Sequence, residues 1–369
     1  ERRGPRRDRE LVRKLRLSVD YLRYLEPAYG GTPRLRQRAW ERTPRGLLRL
    51  LRMPGVGSRG GRRLLAAGLR RVEAAVPLDD KVVAFLRAAA PDVVVLTPLI
   101  GLGAPEQEYY RAAQALGLRT VFAVWSWDNL SSKSVLRGMP SLVTVWNEVQ
   151  REEADALHGV PAARVTVTGA QCFDQWFDRA PSRNRAAFCA RVGLPAARPF
   201  VLYVCSALFA KSPSEAAFVR RWVEALRAVP ALREVGVLVR PHPSRGKEWA
   251  TVSLDDLGPV TRWGANPVDV EAQADYYDSL AHAAAVVGLN TSAFLEAAIL
   301  GKPVLTLLAE EFRENQEGTL HFHYLLGDNG LLVAALAGAL AAGRAAADPG
   351  AGRQRVTASG GGGPARGAF

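Results

Sequence analysis

The chain has 369 residues, with 49 lysines and arginines against 36 aspartates and glutamates, which gives a formal net charge of +13. This length predicts two domains, each large enough to bury its own core. No apolar run approaches the roughly 20 residues that a membrane-spanning helix needs, which argues against a helical span. The arginines are accompanied by no nucleic-acid recognition motif and no series of stacking aromatic residues, which argues against nucleic acid as a partner.

The excess positive charge belongs to the first quarter of the chain. Residues 1–91 hold 23 basic and 9 acidic residues, a net of +14, and the remainder holds 26 and 27, a net of −1. Two interpretations stay open. The segment either contacts an anionic lipid surface or polyanionic acceptor, or it is an ordinary solvated helical surface rich in arginine.

The cysteines and the first residues indicate a reducing compartment. Cys172, Cys189 and Cys205 form neither a metal-ligand spacing nor an even set for disulfides. The opening residues, ERRGPRRDRE, are basic and lack the apolar segment of a signal peptide. We therefore expect a cytoplasmic protein, either free or bound peripherally at the inner face of the cytoplasmic membrane through its Arg-rich N-terminal segment.

Helical periodicity dominates residues 1–91, which we predict to be a basic helical segment of the N-terminal domain. Residues 8–25 place leucines and valines at helical spacing, and Arg62–Val76 and Asp80–Ala90 are also predicted helices. Four prolines and several glycines break residues 26–61 into short helical pieces. No part of this segment has the pattern of a strand.

From residue 92 onward, predicted strands alternate with predicted helices. One helix is expected from Glu106 to Leu116, and another is expected to be capped by Asn147 and ended by Gly159. This alternation predicts a parallel, doubly wound, Rossmann-like domain over residues 92–180, which would hold the acceptor. Its predicted strands are Asp92–Thr97, Thr120–Trp125, Leu142–Trp146 and Val165–Thr168.

A second Rossmann-like domain is predicted over residues 195–345. Ser212–Glu215 resembles a capping box that starts the helix Phe218–Val229. An alanine-rich helix is predicted over Leu331–Ala347, and residues 348–369 lack apolar periodicity and are predicted to form a disordered, dispensable tail. The predicted strands of this domain are Phe200–Ser206, Val235–Val239, Ala284–Leu289 and Val304–Leu308.

Polar residues follow two strands of this second domain. Arg240 and His242 follow one strand, and Asn290, Thr291 and Ser292 follow another, at the start of a helix. Ligands of parallel sheets bind beyond the carboxyl ends of the strands, and a helix N-terminus attracts phosphate. These residues are therefore predicted to bind the two phosphates of an activated donor, with no metal and no cofactor.

Several of these residues have an alternative interpretation. Arg240 and His242 would also serve to fix a proline-rich turn, and Lys211, the further donor-binding cation that we predict, would also be an ordinary exposed lysine. The prolines on both sides of His242 aim it beyond the sheet, which favours a catalytic as well as a donor-binding role.

The candidate general base is Asp128, within the segment WSWDN that directly follows a predicted strand. A carboxylate there would deprotonate an acceptor hydroxyl. The alternative is that Asp128 and Asn129 only form a turn, for which this pair is common. Glu106 and Glu108 are rival bases with an equal claim.

Two further patterns are not interpreted as cofactor sites. His321 and His323 have no third ligand nearby in the sequence and are predicted to be packing or loop groups rather than metal ligands. Gly101-Leu-Gly103 lacks the third glycine and the acidic partner of a dinucleotide fingerprint, so NAD is not predicted.

Three segments resemble one enzyme superfamily. TSAFLEAAILGKPV, residues 291–304, resembles the donor-site segment of GT-B glycosyltransferases and of non-hydrolysing UDP-N-acetylglucosamine 2-epimerases. RPHP, residues 240–243, looks like the cluster of CDP-glycerol glycerophosphotransferases and related envelope-polysaccharide enzymes. VTVTGAQCFD, residues 165–174, is similar to the strand that leads from the first to the second Rossmann-like domain of that superfamily.

This resemblance implies an α/β, GT-B-like fold in which the parallel sheets of two Rossmann-like domains face a cleft. It implies a glycosyltransferase or glycerophosphotransferase, which moves a sugar or polyol-phosphate unit from a nucleotide-activated donor to an envelope or capsular polysaccharide acceptor or a lipid-linked one. Glu296 aligns with the carboxylate that such enzymes use to hold the nucleotide ribose. The alternative for Glu296 is an ordinary charge near a helix start.

Other functions stay open at this point. A 2-epimerase is one, although the epimerases have Ser-Gly-Gly where this chain has Asn290, Thr291 and Ser292, and the bulkier residues would alter the approach of a diphosphate. A non-catalytic nucleotide-sugar sensor and a polyanion-binding scaffold are others. GT-B domains normally open with a strand, so the helical pattern of residues 1–60 also leads us to expect a truncated N-terminal domain.

Overall fold

The structure is a computed structural model that describes residues 5–326 and 332–336. The chain divides into two compact units. Unit 1 contains the residues up to Cys172 together with Gly318–His321, and unit 2 contains Phe173–Glu317 and the described residues after 321. No helix within the described residues is long and apolar enough to cross a membrane. The tail predicted for residues 348–369 lies outside the described residues.

Helices fill the start of unit 1, as the sequence predicts, and residues 5–92 contain no strand. The apolar residues that define the first helical pattern, including Val12, Val19 and Leu22, are buried. A short 3₁₀ turn, Pro27–Tyr29, separates the first two helices. The helices are α1 (Pro5–Arg23), α2 (Pro33–Arg42), α3 (Arg45–Leu50), α4 (Arg59–Ala75) and α5 (Asp80–Ala89).

The sheet of unit 1 has four parallel strands in the order β1-β2-β3-β4. Each predicted strand is present and is shorter than predicted. Phe122 and Val143 are fully buried in its core. The elements are β1 (Val93–Leu96), α6 (Gln107–Ala115), β2 (Arg119–Ala123), α7 (Asn129–Ser132), β3 (Leu142–Val145), α8 (Glu148–His158) and β4 (Val165–Val167).

Buried ion pairs attach α1 to the rest of unit 1. The Nε of Arg16 donates to Glu73 Oε1 at 2.6 Å. Arg137 donates to Asp20, and both side chains are almost completely buried. The hydroxyl of Ser134 also donates to Asp20, at 2.6 Å. Part of the positive charge of residues 1–91 therefore lies inside the unit, where carboxylates neutralise it.

Two further residues of α1 complete the hydrogen bonding of the buried segment around α7. Arg23 donates to the carbonyls of Leu130, Lys133 and Ser134, and the hydroxyl of Tyr24 donates to the Lys133 carbonyl at 2.6 Å. Buried carbonyls without a partner are destabilising, so this loop depends on α1 for its structure.

Unit 2 contains a six-stranded parallel sheet in the order β10-β9-β8-β5-β6-β7. Numbered from its first strand, this is the 3-2-1-4-5-6 order of the Rossmann fold. Leu202, Leu238 and Val286 are fully buried in the sheet. The elements are α9 (Asp174–Asp178), α10 (Arg185–Val192), β5 (Phe200–Val204), α11 (Glu215–Ala228), β6 (Gly236–Arg240), β7 (Val260–Arg262), α12 (Val270–His282), β8 (Ala285–Gly288), α13 (Ala293–Ile299), β9 (Val304–Leu308), α14 (Leu320–His323) and β10 (Val333–Leu336), with the first residues of α14 in unit 1.

Three local predictions for unit 2 are corrected by the structure. The cap of α11 is Ser214, whose hydroxyl accepts the Ala217 N–H, and not Ser212. Val333–Leu336 is a strand paired with β9, where the alanine-rich pattern predicted a helix over Leu331–Ala347. The strand β7 was not predicted, because a three-residue segment offers too little periodicity.

Candidate functional site

The strand order of unit 2 places a crevice between the carboxyl ends of β5 and β8. The chain runs from β5 towards one edge of the sheet and, after β7, continues from β8 towards the other edge. In sheets of this kind the two connections leave in opposite directions, and ligands bind at this switch point. The residues that follow the two strands, Ser206 and Asn290, are therefore the centre of the candidate site.

Hydrogen bonds connect these two residues to each other and to Glu215. The backbone N–H of Asn290 donates to the hydroxyl of Ser206 at 3.2 Å. The backbone N–H of Ser206 donates to Glu215 Oε2 at 2.8 Å, and the hydroxyl of Tyr203 donates to Glu215 Oε1 at 3.2 Å. Burial, with a smaller effect of Glu248, raises the pKa of Glu215 to about 8. The carboxyl group of Glu215 therefore supports the switch point through Ser206.

The loop after β9 contributes a second set of buried polar side chains, which sequence reasoning missed. Asn315 Oδ1 accepts the Phe209 N–H at 2.9 Å, and the Asn315 carbonyl accepts from Asn290 Nδ2 at 2.6 Å. Gln316 Nε2 donates to the carbonyls of Leu289 and Leu307 at 3.1 and 2.9 Å. These bonds tie the loops after β5, β8 and β9 to each other, so the edge of the sheet is rigid before any ligand binds.

Arg240, at the end of β6, is 5% exposed. Its guanidinium donates to Ser279 Oγ at 3.1 Å and to the Ala265 carbonyl at 3.0 Å. It also lies over the ring of Tyr276, with 5.1 Å from Cζ to the ring centroid. Gly264 allows this packing, because a Cβ there would lie 2.4 Å from Arg240 Cζ. The surroundings of Arg240 are therefore protein groups, and its phosphate contact stays a prediction.

His242 caps the short helix that follows β6. Its Nδ1 accepts the Ser244 N–H at 3.3 Å and lies 2.8 Å from Ser244 Oγ. Since Nδ1 accepts, the neutral ring carries its proton on Nε2. Burial, together with the charge of Arg245, lowers the pKa of His242. At neutral pH the side chain is therefore a neutral hydrogen-bond donor through Nε2.

Glu296, on α13, is half-buried beside α12. Its Oε2 accepts a hydrogen bond from the hydroxyl of Tyr276, whereas its Oε1 has no hydrogen-bond partner among the described residues. Burial raises the pKa of Glu296 to about 7, partly offset by this bond. The Arg240 guanidinium packs on the other side of the Tyr276 ring. Arg240, Tyr276 and Glu296 thus form one chain of contacts.

The remaining predicted donor residues are placed at the same edge of the sheet. Thr291 and Ser292 precede α13, and their carbonyls accept the N–H groups of Phe294 and Leu295. Lys211 is exposed in the loop after β5. All the predicted donor residues therefore lie at or after the carboxyl end of β5, β6 or β8. Glu296 lies on α13, the helix that follows β8.

Asp128 lies in unit 1, after β2. Its carboxylate accepts from Ser126 Oγ at 2.7 Å and forms an ion pair with Lys133 at 2.8 Å. Burial alone would raise the pKa of Asp128, but Lys133 and His321, with the hydrogen bonds from Lys133 and Ser126, lower it overall. Asp128 is therefore ionised at neutral pH and is a weaker base than an isolated aspartate.

The other groups singled out in the sequence have structural partners. Glu108, one of the alternative candidates for the general base, accepts a hydrogen bond from Arg16 at 2.6 Å and is therefore part of the ion-pair cluster of unit 1. His321 lies 3.1 Å from Ser132 Oγ, and His323 contacts the Glu317 carbonyl at 2.7 Å. Among the residues that the structure describes, no three His, Cys, Asp or Glu are placed to hold a metal ion.

The structure was compared with known proteins. It is similar to UDP-GlcNAc 2-epimerase from Neisseria meningitidis, solved with bound UDP-GlcNAc, over 71% of this chain and 70% of that chain, with 11% identity and a TM-score of 0.51. Matches also include UDP-GlcNAc 2-epimerase from Methanocaldococcus jannaschii (14% identity, 77% and 73% coverage, TM-score 0.45) and the wall teichoic acid polymerase TagF (11%, 71% and 74%, TM-score 0.41).

No protein-family model matches the sequence, and no curated protein sequence matches it. At 11% identity the first similarity establishes the fold, and the reaction has to be argued from the residues of this chain. The α/β fold with two Rossmann-like parallel sheets is of the GT-B type, which confirms the fold class predicted from the sequence.

Proposed function

We propose that unit 2 binds the nucleotide part of an activated sugar or polyol at the edge of its sheet where β5 and β8 end. The protein then transfers the sugar or polyol-phosphate unit to a polysaccharide or lipid-linked acceptor. The observation that carries this proposal is the Oε1 of Glu296, a half-buried carboxylate oxygen beside the switch point that accepts no hydrogen bond from the described residues. A carboxylate accepts several hydrogen bonds, which suits the two hydroxyls of a ribose.

The contact chain of Glu296 supports its role in ribose binding. Tyr276 fixes Oε2 by a hydrogen bond, and the Arg240 guanidinium fixes the Tyr276 ring. Oε1 is then presented in one orientation, so that little side-chain entropy is lost when a ligand binds. In this proposal Arg240 acts on the donor mainly by positioning Tyr276 and Glu296.

The diphosphate would lie nearer the switch point. His242 offers a neutral Nε2–H, Lys211 offers an exposed cation, and Asn290, Thr291 and Ser292 line the start of α13. When the bond to the sugar or polyol breaks, negative charge grows on the leaving phosphate. Hydrogen-bond donors already in place stabilise this charge more in the transition state than in the ground state, which is the catalytic role that we assign to His242.

The first prediction concerns Glu296→Gln. We expect this change to raise the dissociation constant of the preferred nucleoside diphosphate by about 10- to 100-fold, because charge-assisted hydrogen bonds contribute roughly 1.5–3 kcal/mol. A thermal-shift series with UDP, CDP, GDP and CMP would identify the nucleotide, and titration calorimetry at pH 8 would then give its affinity. Since the pKa of Glu296 is about 7, the wild-type affinity should also fall below pH 7, and the variant should lack this component.

The matched control is Glu271→Gln, which removes an exposed carboxylate from α12, the helix that carries Tyr276. This control should leave the nucleotide affinity unchanged. Equal affinities of the wild type and the Glu296→Gln variant for every nucleotide would contradict the proposed ribose contact.

The second prediction concerns Asp128, which we propose as the general base for the acceptor hydroxyl. Asp128→Asn should lower the transfer rate by about 10²- to 10⁴-fold, the range that proton transfer by a side chain contributes. The donor affinity should not change, because the nucleotide binds to unit 2. Product formation from radiolabelled donor measures the rate, and Glu106→Gln is the matched control for the rival carboxylate. A larger loss with Glu106→Gln would reassign the base.

The same assay separates transfer from epimerisation. An epimerase needs no second substrate, so conversion of UDP-GlcNAc into its C2 epimer with no acceptor present would favour that alternative. Dependence of product on an added polysaccharide acceptor would favour a transferase. Contact with the inner face of the cytoplasmic membrane through the Arg-rich N-terminal segment is an independent proposal.

A further inference from the structure

The positive charge of the first quarter of the chain is unevenly placed. In α1, Arg16 and Arg23 are buried and bonded to groups of unit 1. Residues 42–72, by contrast, contain nine arginines and no lysine, aspartate or glutamate. Eight of these arginines are exposed: Arg42, Arg45, Arg49, Arg52, Arg59, Arg63, Arg70 and Arg71.

Few of these exposed arginines are neutralised within the described part of the chain. Arg59 lies 3.9 Å from Glu26, which is a distant ion pair, and its side chain remains 61% exposed. No carboxylate of the described residues lies within 4 Å of the other seven. The surface therefore carries a strong positive potential that an external anionic partner would neutralise.

Large apolar side chains are exposed on the same surface. Trp40 at the end of α2 is 45% exposed, Met53 after α3 is 54% exposed and Leu64 on α4 is 77% exposed. On α4, Leu64 shares one exposed face with Arg71, because residues seven positions apart are separated by almost two full turns of a helix. Apolar side chains between cations are typical of a surface that enters the headgroup region of a membrane.

The connection between α3 and α4 is fixed rather than loose. The hydroxyl of Ser58 accepts the Gly61 N–H at 3.0 Å and donates to the Gly55 carbonyl at 2.6 Å. A Cβ on Gly61 would lie 2.2 Å from the Gly55 carbonyl oxygen, so only glycine fits this approach. The loop that carries Arg52 and Met53 is thus held against the start of α4.

We propose that residues 40–72 form a docking surface for an anionic phospholipid bilayer. The exposed arginines contact the lipid phosphates, and Trp40, Met53 and Leu64 enter the interface between headgroups and acyl chains. The positive charge of this surface favours an anionic partner, and its exposed apolar side chains favour a lipid bilayer over other polyanions. Single-stranded nucleic acid would need a row of stacking aromatic residues, and Trp40 is the one aromatic residue in this segment.

The proposal does not depend on the nucleotide site, and its test uses no nucleotide. The full chain is mixed with phosphatidylcholine vesicles that contain either no phosphatidylglycerol or roughly 30%, a content that gives a strongly anionic surface. The fraction of protein bound to the vesicles is then measured by flotation. Binding should require phosphatidylglycerol. The triple variant Arg45→Glu, Arg49→Glu, Arg63→Glu should reduce the partition coefficient at least about ten-fold, since each charge near the surface contributes separately.

The matched control is the triple variant Lys81→Glu, Arg87→Glu, Arg119→Glu. These residues are also exposed on unit 1 and give the same change in net charge, but they lie outside the docking surface. This control should change the partition coefficient less than about two-fold. If both triple variants reduce binding equally, net charge rather than this surface causes the attraction, and the proposal is wrong.

Two more variants test the apolar part. Leu64→Ser should weaken binding about five-fold. The leucine side chain gains free energy when it moves from water into the membrane interface, and serine does not. Val270→Ser, at an equally exposed valine of unit 2, should have no effect. The proposal would be overturned by equal binding to both kinds of vesicle or by binding to neither. It would also be overturned if the chain bound a single-stranded RNA of about 20 nucleotides, roughly the length that one to several nucleic-acid sites cover, and did not bind vesicles. Unchanged circular dichroism shows that each variant is folded.

Discussion

Replacement of Arg137 by alanine is expected to lower the free energy of unfolding of unit 1 by about 3–5 kcal/mol, because it leaves a buried carboxylate without its cation. Asp20 is fully buried, and Arg137 is the cation that donates to it. Arg137 also donates to the Arg16 carbonyl at 2.9 Å and to Ser134 Oγ at 2.7 Å. The loss would thus affect the attachment of α1 as well as the charge balance.

Urea unfolding followed by circular dichroism measures this effect. The matched control is Arg9→Ala, which removes an ion pair to Asp79 in which the arginine is 66% exposed. Exposed pairs contribute about 0–1 kcal/mol, so the control should be nearly neutral. Similar losses for both variants would show that Arg137 and Asp20 are not buried as a pair in the folded protein.

The stability of unit 2 is expected to depend on pH through Glu215. The pKa of this buried carboxyl is about 8 in the folded protein and near 4.5 in the unfolded chain. Because the folded pKa is raised, the stabilisation is fully present below about pH 4.5 and is lost as the pH rises towards 8. Between pH 5 and pH 8 the carboxyl is ionised in the unfolded chain and still largely protonated in the folded protein. The free energy of unfolding therefore falls by about 1.36 kcal/mol per pH unit, roughly 3–4 kcal/mol over this range.

The variant Glu215→Gln isolates this contribution. Glutamine keeps the shape and an oxygen for the Ser206 N–H, but it does not titrate. The wild type should lose about 3–4 kcal/mol more than the variant between pH 5 and pH 8 in urea unfolding. Glu296 titrates in an overlapping range in both proteins and cancels in the difference. Parallel pH profiles would mean that Glu215 ionises in the folded state as it does in water.

Much of the fold could be predicted from local patterns, because buried strands of a parallel sheet are short runs of β-branched residues between polar ones. Eight of the ten strands follow such runs. Val260–Arg262 does not, since it is a three-residue strand at the edge of the sheet that ends in a charged arginine. Val333–Leu336 lies in an alanine-rich segment, and its pairing with β9 overrides the helical propensity of alanine.

The site could be predicted less completely, because its geometry depends on contacts between residues far apart in the sequence. The sequence located the strand ends that carry Arg240, His242 and Asn290. It did not indicate that the Arg240 guanidinium packs against Tyr276, or that Glu215, which resembled a capping residue, is a buried support for Ser206. Asn315 and Gln316 lie in a polar segment whose composition is that of any surface loop.

The charge of the first quarter shows the same limit. Composition gives a net of +14 for residues 1–91, but it does not distinguish Arg16 in a buried ion pair from Arg63 on an exposed helix face. Only the packing of α1 against Glu73 separates the arginines that stabilise the unit from those that are available to a partner.

The central claim, that a nucleotide binds where β5 and β8 end, is tested most directly by hydrogen–deuterium exchange with and without the nucleotide that gives the largest thermal shift. Ligand contact lowers local opening and slows amide exchange at the site. We expect slower exchange in three segments that follow neighbouring strands, namely 205–214, 289–296 and 309–316. Protection confined to unit 1, or no binding of any nucleoside diphosphate at millimolar concentration, would contradict it.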